Sequence, residues 1–350
     1  MSLQPVYLVD ASIYIFRAWF SISDEFSNSA GEPTNAVYGF TGFLCNLLEQ
    51  TNAEHIGVAF DESLSKSYRN EIYPAYKANR DPAPEELKRQ FKWARNVAES
   101  MGLNCFADDR YEADDLIGTL AAHWRERGHP VCIITSDKDL AQLITKNDTW
   151  WDFTRNQKLS HAKIKDKFGV FPEQIADYLA LTGDAVDNIP GVPGIGPKSA
   201  AALLSHFDNL DAIWERIDEV QHLSIRGAKS LHQKLGEHRG AAELAQRLTI
   251  IETRVPSALE NPAVTRSELD DARLNRLVDE MEFGGMLRRR CLLSALFLFS
   301  CCFRFSISAC CFKNSSISGA TRSTLEFNEE RKTVTGFCEP CLPIHWLLAK

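Results

Sequence analysis

Three short apolar runs, Val6-Tyr7-Leu8-Val9, Ile56-Gly57-Val58-Ala59-Phe60 and Val131-Cys132-Ile133-Ile134, each lead into an acid: Asp10, Asp61 and Ser136-Asp137. Runs that are apolar throughout, rather than alternating, suit strands buried on both faces of a parallel sheet. Between them lie helix-period stretches such as Leu116, Ile117, Leu120, Ala121 and Trp124, closed by Gly128 and Pro130. The alternation predicts an α/β fold over residues 1–170, a mainly parallel sheet flanked by helices. In open sheets of that kind the ligand lies beyond the carboxyl ends of the strands. Asp10, Asp61 and Asp137 should therefore meet in one crevice.

A length of 350 residues suits about two domains. From Phe171 the strand pattern fades, and helical stretches punctuated by Gly and Pro predict an all-helical region over 171–290. An apolar share of 44% and a charged share of 25% exclude collagen, disulfide miniprotein and wholly disordered chain. The net charge of −8 gives no hint of nucleic acid, but charge is unevenly placed. After residue 285 nine Lys/Arg face four acids, which leaves the first 285 residues at −13. Segment 62–95 runs against that background: Lys66, Arg69, Lys77, Arg80, Lys88, Arg89, Lys92 and Arg95 outnumber its acids. Seven of the ten cysteines fall at or beyond Cys291, so the body reads as a reducing-compartment protein. No charged segment followed by an apolar stretch opens the chain, and a cytoplasmic location is expected.

Further acids accompany the strand ends. Glu112-Ala113-Asp114-Asp115 opens the Leu116 helix, where the positive end of the helix dipole favours acids whether or not they do chemistry. Ser136-Asp137-Lys138-Asp139 and Gly183-Asp184-Ala185-Val186-Asp187 add two pairs. Nine carboxylates in one crevice repel strongly unless cations neutralise them. Oxygen donors without a His or Cys cluster select Mg²⁺ or Mn²⁺, and two such ions clamp the oxygens of a phosphoryl transfer. A phosphatase with an Asp nucleophile is the enzyme alternative, but Asp10-Ala11-Ser12 lacks a second acid two positions on.

Gly191-Val192-Pro193-Gly194-Ile195-Gly196-Pro197-Lys198 opens a helix at Ser199. Its glycines allow close backbone approach, its N–H groups suit an anion and Lys198 adds charge. The spacing is not that of a Walker loop. Such a loop holds a nucleic-acid backbone without reading sequence; the plain alternative is an interhelical turn.

With these motifs placed, the chain from Tyr7 to Arg288 closely resembles the 5′-nuclease superfamily, which includes the nuclease domain of bacterial DNA polymerase I and the stand-alone bacterial 5′-3′ exonucleases or flap endonucleases. The resemblance rests on Leu8-Val9-Asp10, Phe60-Asp61, Tyr76-Lys77-Ala78-Asn79-Arg80, Tyr111 to Asp115, Thr135 to Asp139, and Thr182 to Lys198. It implies a PIN-like α/β nuclease domain with a helical arch over about 62–95, then a helix–three-turn–helix region that grips duplex DNA. It implies two metal groups, Asp10, Asp61, Glu112, Asp114 and Asp115 in one, Asp137, Asp139, Asp184 and Asp187 in the other, holding two or more Mg²⁺ with Mn²⁺ as substitute. Lys77 and Arg80 match the basic residues at the base of that arch, and the resemblance implies that they and Asp114 are catalytic. Tyr68 and Tyr76 are then expected to stack on displaced bases or to pack within the arch. Gly194, Ile195, Gly196, Pro197, Lys198 and Ser199 match the DNA-binding turn. A K⁺ ion held by the carbonyls of Leu181, Thr182, Pro190, Val192 and Ile195 is implied from some relatives. The expected partner is DNA with 5′ flaps or ends, and the expected state a monomer without a membrane.

Residues 291–350 resemble nothing in that family, and their Ser/Cys/Phe bias suits an out-of-frame gene end or an extended tail. Cys291 to Phe312 has the length of a membrane span but carries Arg304 near its middle. Cys338-Glu339-Pro340-Cys341 is a single C-x-x-C, too little for a zinc ribbon. Two other functions compete. A non-catalytic DNA-binding module is disfavoured because a pure phosphate binder has no use for nine acids, and a compact toxin-type ribonuclease lacks the arch and the Gly-rich loop.

Overall fold

The three apolar runs are strands, and they lie side by side at the centre of one sheet. The computed structural model describes residues 3–62 and 67–296. The strands are β1 Val6–Asp10, β2 His55–Ala59, β3 Asn104–Phe106, β4 Val131–Ile134, β5 Thr149–Asp152 and β6 Gln157–Leu159. Their order is β3-β2-β1-β4-β5-β6, all parallel except β6, which closes the edge antiparallel to β5. Val9 pairs with Val58 on one side and Ile134 on the other. Asp10, Asp61 and the Thr135–Asp139 turn thus leave the sheet at the same end.

The helices are α1 Ala11–Ser21, α2 Asn35–Thr51, α3 Tyr68–Ile72, α4 Glu85–Ser100, α5 Ala113–Glu126, α6 His161–Phe168, α7 Ile175–Thr182, α8 Pro197–Phe207, α9 Leu210–Glu215, α10 Ala228–Glu237, α11 Arg239–Thr249, α12 Pro256–Glu260 and α13 Asp271–Glu280, and they cover both faces of the sheet, α5 on one and α1, α2 and α4 on the other. Successive strand side chains alternate between two cores, as the pleat requires. Leu8, Ile133 and Trp150 join Leu116, Ile117 and Leu120 of α5 on one face. Val9, Ile134 and Trp151 join α1, α2 and α4 on the other. The first core continues without a break into the helical region through Leu179, Leu203 and Leu248. The two halves therefore share apolar burial, at roughly 1.5–3 kcal/mol for each large side chain.

Two expected boundaries shift. Part of the segment expected as an arch, 62–95, is packed helix: α4 buries Leu87, Phe91, Ala94 and Val97 in the second core. Residues 63–66 lie outside the described residues. The break expected at 291 falls inside a helix over residues 285–296. Leu287, Cys291 and Ala295 of that helix are buried in the second core. Arg290 donates to Glu49 of α2 at 2.7 Å and Ser294 to the same carboxylate at 3.1 Å. The rest of the expected tail, with Arg304 and the Cys338 to Cys341 motif, lies outside the described residues, among which no helix is long and apolar enough to cross a membrane.

Candidate active site

Each acid of the crevice is placed by a local rule. Asp10 ends β1 and is 4% exposed; its Oδ2 accepts a 3.0 Å bond from Thr135 Oγ1, from the turn after β4. Asp61 follows β2, accepts from Ser12 Oγ at 2.6 Å and from the backbone N–H of Ala113 at 2.9 Å. It thereby sits at the positive end of α5. Glu112 and Asp114 occupy the start of that helix, and Asp139 begins the turn beyond Asp137, whose Oδ1 accepts from the Asp139 N–H at 2.9 Å. Asp184 and Asp187 lie in a six-residue turn closed by the reciprocal backbone bonds of Asp184 and Ile189, 3.0 and 2.8 Å. One cleft is lined by Arg69, Tyr76, Glu112, Asp114, Asp139 and Asp187, so both expected acid groups open onto it.

Burial and mutual repulsion dominate the electrostatics. Burial, with Asp61 and Asp137 alongside, pushes the Asp10 carboxyl up to about 7. Burial and the neighbouring Asp137, Asp10 and Asp61 push Asp114 well above the carboxylate range. Asp139 rises for the same kind of reason, burial first and Asp137 next, and Asp137 rises chiefly through burial. Glu112 goes the other way: burial raises it, but Lys77 and Arg69 outweigh burial and leave it below its ordinary value.

The chain's own cations partner the outer acids. Lys77 Nζ lies 2.8 Å from Glu112 Oε1 and 3.8 Å from Asp187 Oδ2, Arg80 pairs with Asp187, and Lys138 Nζ lies 2.9 Å from Asp184 Oδ2. The basic segment is stitched to the Asp184 turn as well, by Lys77 N–H to Asp187 O at 2.9 Å, Asn79 Nδ2 to Ala185 O at 2.8 Å and Asn188 Nδ2 to Ala75 O at 2.6 Å. Lys77 itself holds a left-handed φ of 55°, which turns the chain there. Among the described residues no three acid, His or Cys side chains close into a ready-made metal cage. The donor chemistry nevertheless fits a hard divalent cation: every donor is a carboxylate, and Asp139 Oδ1 is buried with no hydrogen-bond partner.

Two expectations need correction. Asp115 is fully buried, and both its oxygens are taken by Arg69, at 2.7 and 2.8 Å, and by the N–H groups of Glu112 and Glu252, at 3.1 and 2.9 Å. No lone pair is left for a metal. Tyr76, one of the two tyrosines offered for stacking on bases, is 4% exposed and donates its hydroxyl to Glu112 at 3.0 Å or Asp187 at 3.2 Å. Buried and tied to both acid groups, it cannot be a base platform. Tyr68 is half-buried, its ring 5.3 Å from that of Tyr111 and under the Arg69 guanidinium. In the sequence Arg69 stands as one of a basic run, and nothing in local spacing marks it as buried.

The Gly-rich turn links α7 to α8. Gly183 has a φ of 73°, and a Cβ on Gly191 would stand 2.3 Å from Gly183 N, so the two glycines let the chain cross itself. Leu181 O accepts from Val192 N–H and Val192 O from Ile195 N–H. Gly196 precedes α8 without a side-chain cap, Pro197 takes the first position, and nothing lies within 4 Å of a Cβ built on Gly196. Lys198 is exposed and makes no ion pair among the described residues.

A parallel sheet with acids gathered at the carboxyl ends of β1, β2 and β4, beside an open Gly-rich helix entry, defines the class as a nuclease-type α/β fold with a helical extension. The comparisons with known proteins agree. The family described as "5'-3' exonuclease, N-terminal resolvase-like domain" matches residues 5–169, and "5'-3' exonuclease, C-terminal SAM fold" matches residues 170–272. A 5'-3' exonuclease of Buchnera aphidicola subsp. Schizaphis graminum is 35% identical over 80% of this chain and 98% of that protein. DNA polymerase I of Pseudomonas aeruginosa is 39% identical over 82% of this chain but only 31% of its own length. Among solved structures, T5 5'-exonuclease with zinc ions bound has a TM-score of 0.57 at 22% identity, covering 79% of this chain and 99% of that one. That likeness carries the fold. The chain belongs to the 5′-3′ exonuclease family.

Proposed function

We propose that this protein hydrolyses DNA phosphodiesters from 5′ ends and at 5′ flaps, using divalent cations, Mg²⁺ first and Mn²⁺ as substitute. The observation that carries the proposal is the shared cleft: Glu112, Asp114, Asp139 and Asp187 open onto it, and Lys77 and Arg80 reach the same acids. Asp10, Asp61, Glu112 and Asp114 would hold one ion, and Asp137, Asp139, Asp184 and Asp187 the other. Bound there, Mg²⁺ supplies positive charge against the attacked phosphate and acidifies water. The chain's own part is positional. Lys77 and Arg80 meet phosphate oxygens of the reacting strand when they release their carboxylates. Gly194, Ile195, Gly196, Pro197, Lys198 and Ser199 hold the duplex backbone through N–H groups and one ammonium. The carbonyls of Leu181, Thr182, Pro190, Val192 and Ile195 would hold a K⁺ ion, which would add positive charge beside the turn.

Support comes from the family and from a T5 flap endonuclease structure described as a complex with DNA and metal ions, TM-score 0.55. The setting is replication and repair in the cytoplasm, with the protein as a monomer. The test is cleavage of an end-labelled 5′-flap duplex beside matched blunt duplex and single strand, with Mg²⁺ and with chelator. Mg²⁺-dependent cleavage favouring flap or 5′ end supports the proposal; binding without cleavage makes the protein a DNA-binding relative.

A further inference from the structure

Arg69 and Asp115 form a closed unit in the interior between the two halves of the chain. Arg69 is 3% exposed, and each of its five N–H donors has a partner. Nη1 meets Asp115 Oδ2 at 2.7 Å and Glu112 Oε2 at 3.3 Å. Nη2 meets Asp115 Oδ1 at 2.8 Å and Ile250 O at 3.2 Å, and Nε meets Leu248 O at 2.8 Å. Leu248 and Ile250 bracket the carboxyl end of α11, where a cation also complements the helix dipole. Asp115 completes the junction by accepting from Glu252 N–H.

We infer that Arg69 and Asp115 are positioning residues: together they orient the acid Glu112 and lock the end of α11 to the start of α5, and Asp115 ligates no ion. The inference deepens the proposed function and rests on it. Glu112 is held by three donors, Arg69 and Tyr76 on Oε2 and Lys77 on Oε1. Arg69 is the member that also reaches α11, so it ties the aim of Glu112 to the placement of the helical half. Lysine cannot replace it, because only the planar fork reaches two carboxylates and two carbonyls at once. Groups that orient a metal ligand lose about 10–100-fold in affinity or activity when removed, whereas loss of a ligand removes the ion.

The test compares D115N, R69M, R69K and R69M/D115L with wild type and D114N as full-length proteins. Mn²⁺ binding is measured by calorimetry, and flap cleavage under single turnover. The expected result is a wild-type number of bound Mn²⁺ in D115N and R69M, with cleavage slowed about 10–100-fold in each. R69K gives no rescue, and the double variant is no slower than the slower single, since the pair acts as one unit. Where a single variant fails to fold because a buried charge is stranded, R69M/D115L removes both charges, and its Mn²⁺ count decides. A missing ion in D115N or in the double variant, or single effects that multiply, overturns the inference. If D114N also keeps every ion and cleaves like wild type, the metal reading of the cleft fails instead.

Discussion

Lys77 Nζ lies 2.8 Å from Glu112 Oε1, so the basic segment is in contact with the acid that opens α5. Burial opposes the lysine's charge, but Glu112 and Asp187 outweigh it and raise its pKa, so it stays cationic at any working pH. Lys77→Ala should slow flap cleavage by about 10²–10³-fold, as loss of a charge aimed at the reacting group does. Duplex affinity, measured with Ca²⁺, should change by less than about threefold, under 1 kcal/mol. A loss of affinity matching the loss of rate would make Lys77 a simple surface charge.

The Asp10 carboxyl gives a pH dependence of stability. Its folded pKa of about 7 lies above the ordinary 3.8, so its contribution is fully present below 3.8 and is lost as pH rises through about 7. In chelator, Asp10→Asn should therefore melt above wild type at about pH 8, and the gap should close towards about pH 5. Thermal denaturation at the two pH values checks this; a gap that stays constant contradicts it.

Two glycines of one turn should part company. Gly191→Ala drives a Cβ onto backbone atoms of Gly183 and Thr182 at 2.3 and 2.4 Å, and should cost about 1–3 kcal/mol of stability. Gly196→Ala meets nothing within 4 Å. It should melt like wild type yet, on the proposed function, bind duplex more weakly, because the added methyl stands on the open side of the turn assigned to the phosphate backbone. Equal duplex affinity in Gly196→Ala would reduce the loop to a turn. Lys198→Ala should make the salt dependence of binding shallower by about one unit.

The helix over 285–296 sets where the chain can be cut. A protein ending at 290 loses Cys291, Ser294 and Ala295 from α2 and should melt below one ending at 296. The version ending at 296 should cleave flaps at the full-length rate. Identical melting of the two truncations would show that the helix contributes nothing.

Continuous apolar runs told of β1, β2 and β4 because strands buried on both faces need no polar position, and the acids after them were legible for that reason. β3 and β6, three residues each, and the four-residue β5 left no comparable run. Arg69 and Tyr76 stand in a basic segment with prolines, and that company suggests solvent. Their burial is decided by α11 and by Glu112, which are distant in sequence. The same holds for Asp115. It stands beside Asp114 in the chain, but one helical step turns it from the cleft to the guanidinium of Arg69.

The central claim is that the acids of the crevice cut DNA which a separate loop holds, and Asp114→Asn tests it most directly. Mg²⁺-dependent flap cleavage and duplex affinity in Ca²⁺ are measured on the same preparation. The expected result is cleavage below detection with affinity near wild type, since Lys198 and the Gly-rich turn are untouched. Cleavage at the wild-type rate, or loss of cleavage and binding together, contradicts the account.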